Sequence, residues 1–515
     1  MQPNQAAIQV LADGGNAADA AVAAAAVQWV TMPWACGVGG DAVCLVSDVR
    51  RGAPVALIGC GPSPAMISAD WMTQRGHEAI PLHGPLAVGV PGAVDLVLEL
   101  HARYGSRDLS ALLEPSIRLA RDGFTVGPHA ARFGARGAAM FRGSAERLAA
   151  ALPIRRGAAV GDIVRQPALA RTLAGIATGR RAGFYEGAVA CSMARAVAGG
   201  GGLLSAGDLG GFRAEVAEPI STSYRGVRVL ETPPPTQGVV VLEMLNLMEG
   251  FPVGEAAPLA ASTIHRLAGS ARLAFDDRET YLVDPSVAAV PLDRLLSKQH
   301  AAERRPLVDG APARLGRMAA GDTTSFAVAD EQGSTVAFIH SLGGLWGSGV
   351  VDPETGVLLN NRVARGFSLE EADAARLVGG QRPAHTLHCF MLAEAAGSPF
   401  LAGATPGADL GAQWTAQIVL HLTDHGLSAQ TAVEMPRWHL FPGAEPPHRA
   451  LPAELQYESG LAEDTLASLR RLGHRTRSLG TLGTDGGMQI VGVDRALGRL
   501  VATSDPRCEA AALGV

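Results

Sequence analysis

Lysine is nearly missing from this 515-residue chain, Lys298 being the only one. That excludes a Walker-type phosphate loop and most chemistry that runs through a lysine Schiff base. The six cysteines, Cys36, Cys44, Cys60, Cys191, Cys389 and Cys508, form no CxxC pair, so neither a disulfide framework nor a zinc cluster is indicated. The GxSxG turn of serine hydrolases is absent. CGVGGD (36–41) does not follow a strand and open a helix, as a dinucleotide-binding glycine motif would. No basic stretch followed by an apolar core opens the chain, and the Ala-rich run at 17–30 contains Asp19 and is too short and too weakly apolar to span a bilayer. With a net charge of -6 and a pI near 6.2 there is no basic footprint for nucleic acid. These absences point to a soluble, cytoplasmic protein with no cofactor, no metal, no nucleic-acid partner and no membrane partner.

A hydrophobic content of 47% and a charged content of 18% describe a chain able to bury a large core, as several domains or as one large α/β unit. The spacing predicts a helix from Gln5 to Val30, interrupted near residues 14–16 and stopped by Pro33. The stretches AVCLVS and VALIG read as strands, and VVVLEMLNLMEGF and TIHRLAGSARLAFDDRETYL as helices. The segment 301–322 has no period and reads as a long loop. Beyond it, AGATPGADLGAQWTAQIVLHL gives strand, loop and helix, and MQIVGVDR with RLVATSDPR gives a closing hairpin. An α-rich first part joined to a sheet-forming second part fits a layered α/β (α+β) sandwich.

GDTTSFAVADEQGSTVAFIHS (321–341) carries the sharpest chemical signal. Thr323–Asp330 and Ser334–Ser341 alternate as two strands around a short turn ending at Gly333. If Asp330 faces Ser334, Thr323 faces Ser341, and two hydroxyls meet where the strand begins. Were the chain cut between Asp322 and Thr323, Thr323 would hold a hydroxyl beside its own α-amine. That amine titrates near ~7.7 to 8.0, where a general base for the hydroxyl is useful. On the hairpin alone an ordinary threonine-rich strand remains open.

GGNAADAAVAAA, CGVGGD, GPLAVGVPGAVD, EPSIRLARDGF, RLAFDDRETYLVDP, GDTTSF, GSGVVDPETGVLLNN, QRPAHT, TPGAD and TSDPR, in that order, resemble the blocks of the gamma-glutamyltransferase family of N-terminal-nucleophile hydrolases. The resemblance implies a four-layer αββα sandwich and self-cleavage between Asp322 and Thr323. It also implies two fragments, 1–322 and 323–515, interleaved as a heterodimer, with a dimer of heterodimers left open. Thr323 matches the nucleophile and Ser341 a second hydroxyl that contacts it. Gly407 and Ala408 of TPGAD match the pair whose amides form the oxyanion hole.

Other positions depart from the family pattern. Cys60 falls nearest the arginine that holds a glutamyl α-carboxylate. NNRVARGF (360–367) has no acid to hold an α-ammonium, Gly343 stands where relatives have asparagine, and His385 and Thr386 replace a serine pair. A zwitterionic head needs both charge partners. The substitutions resemble the branch that includes oxamate amidohydrolases, with Asn361, Arg362, His385 and Thr386 as candidate substrate contacts and Arg365 nearby. The expected activity is hydrolysis of a small-molecule amide such as oxamate or a related acyl amide. A glutathione-hydrolysing gamma-glutamyltransferase and an uncleaved, non-catalytic binding protein are the alternatives. His421 and His425, four apart on a helix without the glutamate of HExxH, read as histidines favoured by a helix C-terminus rather than as metal ligands.

Overall fold

Alternate residues of the strands enter different hydrophobic clusters, and that alternation defines the layers. The computed structural model describes residues 2–141, 158–310, 323–395, 397–441, 453–494 and 498–515. Its main strands are β1 (Asp41–Ser47), β2 (Val55–Gly59), β3 (Glu215–Ala217), β4 (Ile220–Tyr224), β5 (Val227–Glu231), β6 (Thr324–Ala329), β7 (Thr335–Ser341), β8 (Phe390–Glu394), β9 (Pro399–Ala404), β10 (Gln489–Asp494) and β11 (Arg499–Ala502). They form two antiparallel sheets, ordered β3-β2-β1-β7-β6 and β11-β10-β9-β8-β5-β4. The main helices are α1 (Ala17–Thr31), α2 (Ala93–Tyr104), α3 (Leu109–Asp122), α4 (Gly238–Met248), α5 (Ala261–Tyr281) and α6 (Asp409–Thr423).

Val43, Leu45 and Ile339 of the first sheet meet Leu230, Met391 and Ala402 of the second. Their strand neighbours Cys44, Val46 and Phe338 face α1, α2 and α3. On the far side Val229, Phe390 and Leu401 face α4, α5 and α6. The result is helices, sheet, sheet, helices: the expected four-layer sandwich. Every residue of α1 is buried, and its small side chains let it lie close under the first sheet. Its start is fixed by a capping box in which the Asn16 side chain accepts from the Asp19 amide and the Asp19 carboxylate from the Asn16 amide. The expected interruption at 14–16 is therefore a true break, with a separate helix at Gln2–Ala12 before it.

The segment expected to be loop from 301 onward is partly ordered helix, because Lys298–Arg304 continues into a 3-10 turn at Arg305–Leu307. Its arginines are used internally: Arg304 Nη1 lies 2.8 Å from Asp277, and Arg305 Nε donates to the Leu247 carbonyl at 3.1 Å. Residues 311–322, including Asp322, lie outside the described residues. Among the described residues no helix is long and apolar enough to cross a membrane.

TSDPR, beyond β11, is a buried clamp. Arg507 Nε donates to Glu458 at 2.8 Å, Arg507 Nη1 to Asp505 at 3.1 Å, and Arg437 pairs with the other Asp505 oxygen. Glu458 also accepts from the Thr484 amide at 3.0 Å and the Arg437 amide at 3.0 Å. Burial alone would raise the Glu458 pKa, but these donors outweigh it and hold the carboxyl at about 2 instead of 4.5. A depressed carboxylate stabilises the fold fully above its unfolded pKa and loses that contribution as the pH falls through the folded one. Here the contribution is roughly 3 kcal/mol. Thermal melts should therefore fall steeply between about pH 4.5 and 2, the window of this shift. Glu458→Gln should melt lower at neutral pH and decline less across that window; parallel curves for the two proteins would refute the assignment.

Candidate active site

The register of the β6–β7 hairpin builds the site. Thr324 pairs with His340 and Ala329 with Thr335, so the ladder extended by one residue puts Thr323 opposite Ser341. Thr323 Oγ1 donates to Ser341 Oγ at 3.0 Å, and Ser341 Oγ accepts from the Gly343 amide at 2.9 Å. On the other side of β7, Ser341 pairs with Asp41 of β1, and the β1–β2 register continued by one residue brings Cys60 beside Asp41. Thr323, Ser341, Asp41 and Cys60 thus form a row across four strands, each about 4.8 Å from the next. CGVGGD makes the row possible. A Cβ at Gly40 would lie 2.5 Å from the Ser341 carbonyl oxygen, and one at Gly39 2.1 Å from that of Leu358.

Asp41, the last residue of CGVGGD, is a polar hub that the sequence did not single out. It is 1% exposed; its Oδ1 accepts from the Gly61 amide at 3.2 Å, while its Oδ2 lies 3.2 Å from both Arg362 Nε and His385 Nε2. Burial, reinforced by the neighbouring Arg362, lowers the His385 pKa to about 4, so this imidazole is neutral at working pH. Burial also lowers the Arg362 pKa to about 10, which leaves it charged. Arg362 Nη2 is buried with no hydrogen-bond partner among the described residues. The cluster therefore holds one carboxylate, one guanidinium and one unused donor edge.

The TPGAD loop sits at the N-terminus of α6. Gly407 has φ +134°, and Ala408 has φ 51° with ψ -124°, a conformation that suits glycine better than alanine. Among the described residues neither amide donates a hydrogen bond to another protein group. Two unspent N–H groups at a helix N-terminus are what a developing oxyanion requires. Ser325 Oγ donates to the Ala404 carbonyl at 3.2 Å, which ties β6 to the strand that delivers this loop. Gln237, fully buried, spans the site from behind: its Nε2 donates to the carbonyls of Thr386 at 2.7 Å and Ala408 at 2.8 Å, while its Oε1 accepts from Arg278 at 3.1 Å. Arg278 also pairs with Asp409. Trp414 presses on the loop from inside the helix, since a Cβ at Gly407 would lie 2.4 Å from its ring.

Asn361 fills the space opened by Gly343. Its Oδ1 would lie 2.3 Å from a Cβ at position 343, where φ is +102°, and it accepts from the Gly344 amide at 2.8 Å. The Arg365 side chain lies alongside, its Cδ 3.4 Å from the same point. Thr386 enters through its carbonyl, as the Gln237 acceptor. His385 and His388 reach different partners, Asp41 and Glu231. His421 does not behave as a cation at a helix end: burial lowers its pKa to about 4, so it is neutral. A cavity of about 1630 Å³ runs along β6 from Thr323 to Gln332 and is also lined by Gln28, Pro406 and Gln489.

With this geometry in hand, the sequence profile described as gamma-glutamyltranspeptidase matches residues 4–515. The chain belongs to the gamma-glutamyltranspeptidase family. Among its relatives in the family, the glutathione hydrolase-like YwrD proenzyme of Bacillus subtilis (strain 168) is 32% identical over 99% of this chain and 96% of its own length. The oxamate amidohydrolase proenzyme of Klebsiella pneumoniae is 31% identical over 99% and 96%. The crystal structure of cephalosporin acylase from Bacillus halodurans superposes with a TM-score of 0.90 at 32% identity, covering 100% of this chain and 94% of that one. The chain is thus a hydrolase or acylase of the gamma-glutamyltranspeptidase family, and its sandwich is that family's fold.

The strained Ala408 yields a test specific to this chain. Ala408→Gly should fold at least as stably as the wild type, by up to about 1 kcal/mol, because relieved strain slightly exceeds added chain entropy. Gly407→Ala should lose more than about 2 kcal/mol through collision with Trp414. Chemical denaturation of both variants checks the pair, and a less stable Ala408→Gly would contradict the conformational reading.

Proposed function

We propose that the protein is a self-cleaving threonine amidohydrolase that splits the bond between Asp322 and Thr323 and then uses Thr323 as its nucleophile. The observation that carries this reading is the 3.0 Å contact between Thr323 Oγ1 and Ser341 Oγ. In the mature form, fragment 323–515 pairs with fragment 1–322. The Thr323 hydroxyl attacks the amide carbon while its proton passes to the Thr323 α-amine. The Gly407 and Ala408 amides hold the oxyanion. Collapse breaks the C–N bond, the ammonium proton leaves with the amine product, and an ester to Thr323 remains. Water then attacks that ester, giving its proton to the same amine, and the acid and the free hydroxyl are restored.

For the acyl group we favour one without an α-ammonium, such as oxamate or a related acyl amide. Asp41 is the acid that the row offers, and both its oxygens are engaged by Gly61, Arg362 and His385. An ammonium would have to displace Arg362 or share its buried carboxylate, at a cost in desolvation. The Arg362 Nη2 edge suits a carbonyl or carboxylate oxygen instead. Activity as a glutathione hydrolase, the activity named for the Escherichia coli relative, is the competing reading.

A denaturing gel and Edman sequencing test the first step: purified protein should run as two fragments, the smaller beginning at Thr323, and Thr323→Ala should stay full length. A full-length, unprocessed wild type would leave a binding protein as the better account. Arg362→Leu should raise KM for oxamate at least about tenfold while sparing cleavage. A γ-glutamyl anilide turned over faster than oxamate and simple acyl amides would instead favour the glutathione hydrolase.

A further inference from the structure

Three successive hydroxyls at the start of β6 are tied to three different elements. Thr323 reaches Ser341 on β7 and Ser325 reaches Ala404 on β9, while Thr324, between them, points to the opposite face and meets α1. We propose that a one-way hydrogen-bond chain from Trp29 through His340 and Gln28 to Thr324 positions the nucleophile once cleavage has turned Thr323 into a chain end. This rests on the self-cleaving reading above.

The direction of the chain follows from its first member. The Trp29 indole has one hydrogen to give and nothing to accept with, so at 3.2 Å it donates to His340 Nδ1. Burial keeps the His340 imidazole neutral at working pH, its pKa lowered to about 3, so its hydrogen sits on Nε2, 2.7 Å from Gln28 Oε1. With that oxygen accepting, Gln28 Nε2 donates to Thr324 Oγ1 at 3.3 Å. The Thr324 hydroxyl hydrogen is left for Met32 Sδ at 3.7 Å. His340 is fully buried, so an unmade link would strand its ring nitrogens away from water, whereas Gln28 and Thr324, each 6% exposed, line the cavity.

The need arises from topology. Among the described residues β6 is an edge strand, paired only with β7. In the precursor the chain continues through Thr323 on both sides, but in the mature form that residue is a terminus, and termini fray unless held. Rotation of Thr323 about the Thr324 backbone would carry its hydroxyl and amine away from Ser341 and the oxyanion loop. The Thr324 side chain, gripped from the helix layer, resists that rotation without touching substrate.

Thr324→Val keeps the shape and removes the hydroxyl, whereas Thr324→Ser keeps the hydroxyl. The expected result is complete cleavage in both variants. In Thr324→Val kcat should fall about tenfold to a hundredfold with KM within about twofold, and in Thr324→Ser it should be near wild type. Gln28→Leu, which breaks the same link from the other side, should reproduce the Thr324→Val pattern. Three outcomes would overturn the proposal: wild-type kcat in Thr324→Val and Gln28→Leu, equal losses in Val and Ser, or loss of cleavage in Val with cleavage retained in Ser. If the wild type itself is not cleaved before Thr323, the self-cleaving reading falls; if it is cleaved and Thr323→Ala is dead while Thr324→Val is unaffected, only the positioning role falls.

Discussion

The antiparallel register of β6 against β7 is the constraint on which the rest of the site depends. Side chains alternate across a strand, so a slip of one residue would send Thr323 toward the α1 layer and Thr324 toward the second sheet. Several groups enforce the register. Ile339 and Ala337 fill the space between the sheets, and Phe326 stacks on Phe338 against the helices, ring centroids 4.9 Å apart. At the turn, Asp330 accepts from the Ser334 and Ala17 amides. The hydrophobic layers and the polar turn therefore set the same alignment, and the meeting of two hydroxyls at its open end is a consequence.

Much of this was legible in the chain. The hairpin, its Gly333 turn and the pairing of Thr323 with Ser341 follow from local alternation, because both strands and the turn lie within twenty residues and compete with few alternatives. The TPGAD loop and the helix after it are legible for the same reason. The groups that support the site were not. Asp41 is close in sequence only to glycines, and its partners Arg362 and His385 arrive from more than three hundred positions away. Gln237 meets Ala408 across 171 positions, and no local period marks it. The arginines of 301–310 looked like loop residues because their acceptors, Asp277 and the end of α4, belong to helices placed by tertiary packing.

The departures from the family pattern are coupled in space. Gly343, by lacking a side chain, admits the Asn361 amide to a place its own Cβ would occupy. Arg362, next in sequence, then turns to Asp41, while His385, from the segment before β8, closes on the same carboxylate. Asp41 is thus shared by Arg362 and His385, so replacing that one acid would take a partner from both. The charges around Asp41 therefore have to be read together and not position by position.

The TSDPR clamp reaches further than its own corner. Arg437 lies over the Trp414 ring, 5.5 Å from its centroid, and donates to the Gly486 carbonyl; Gly486 in turn packs on that ring, which bears on Gly407. The turn at Gly407 is consequently propped by residues well beyond it in the chain. Because those supports come from residues 437 to 507, the turn at Gly407 gains its backing only when the C-terminal part of the chain is in place.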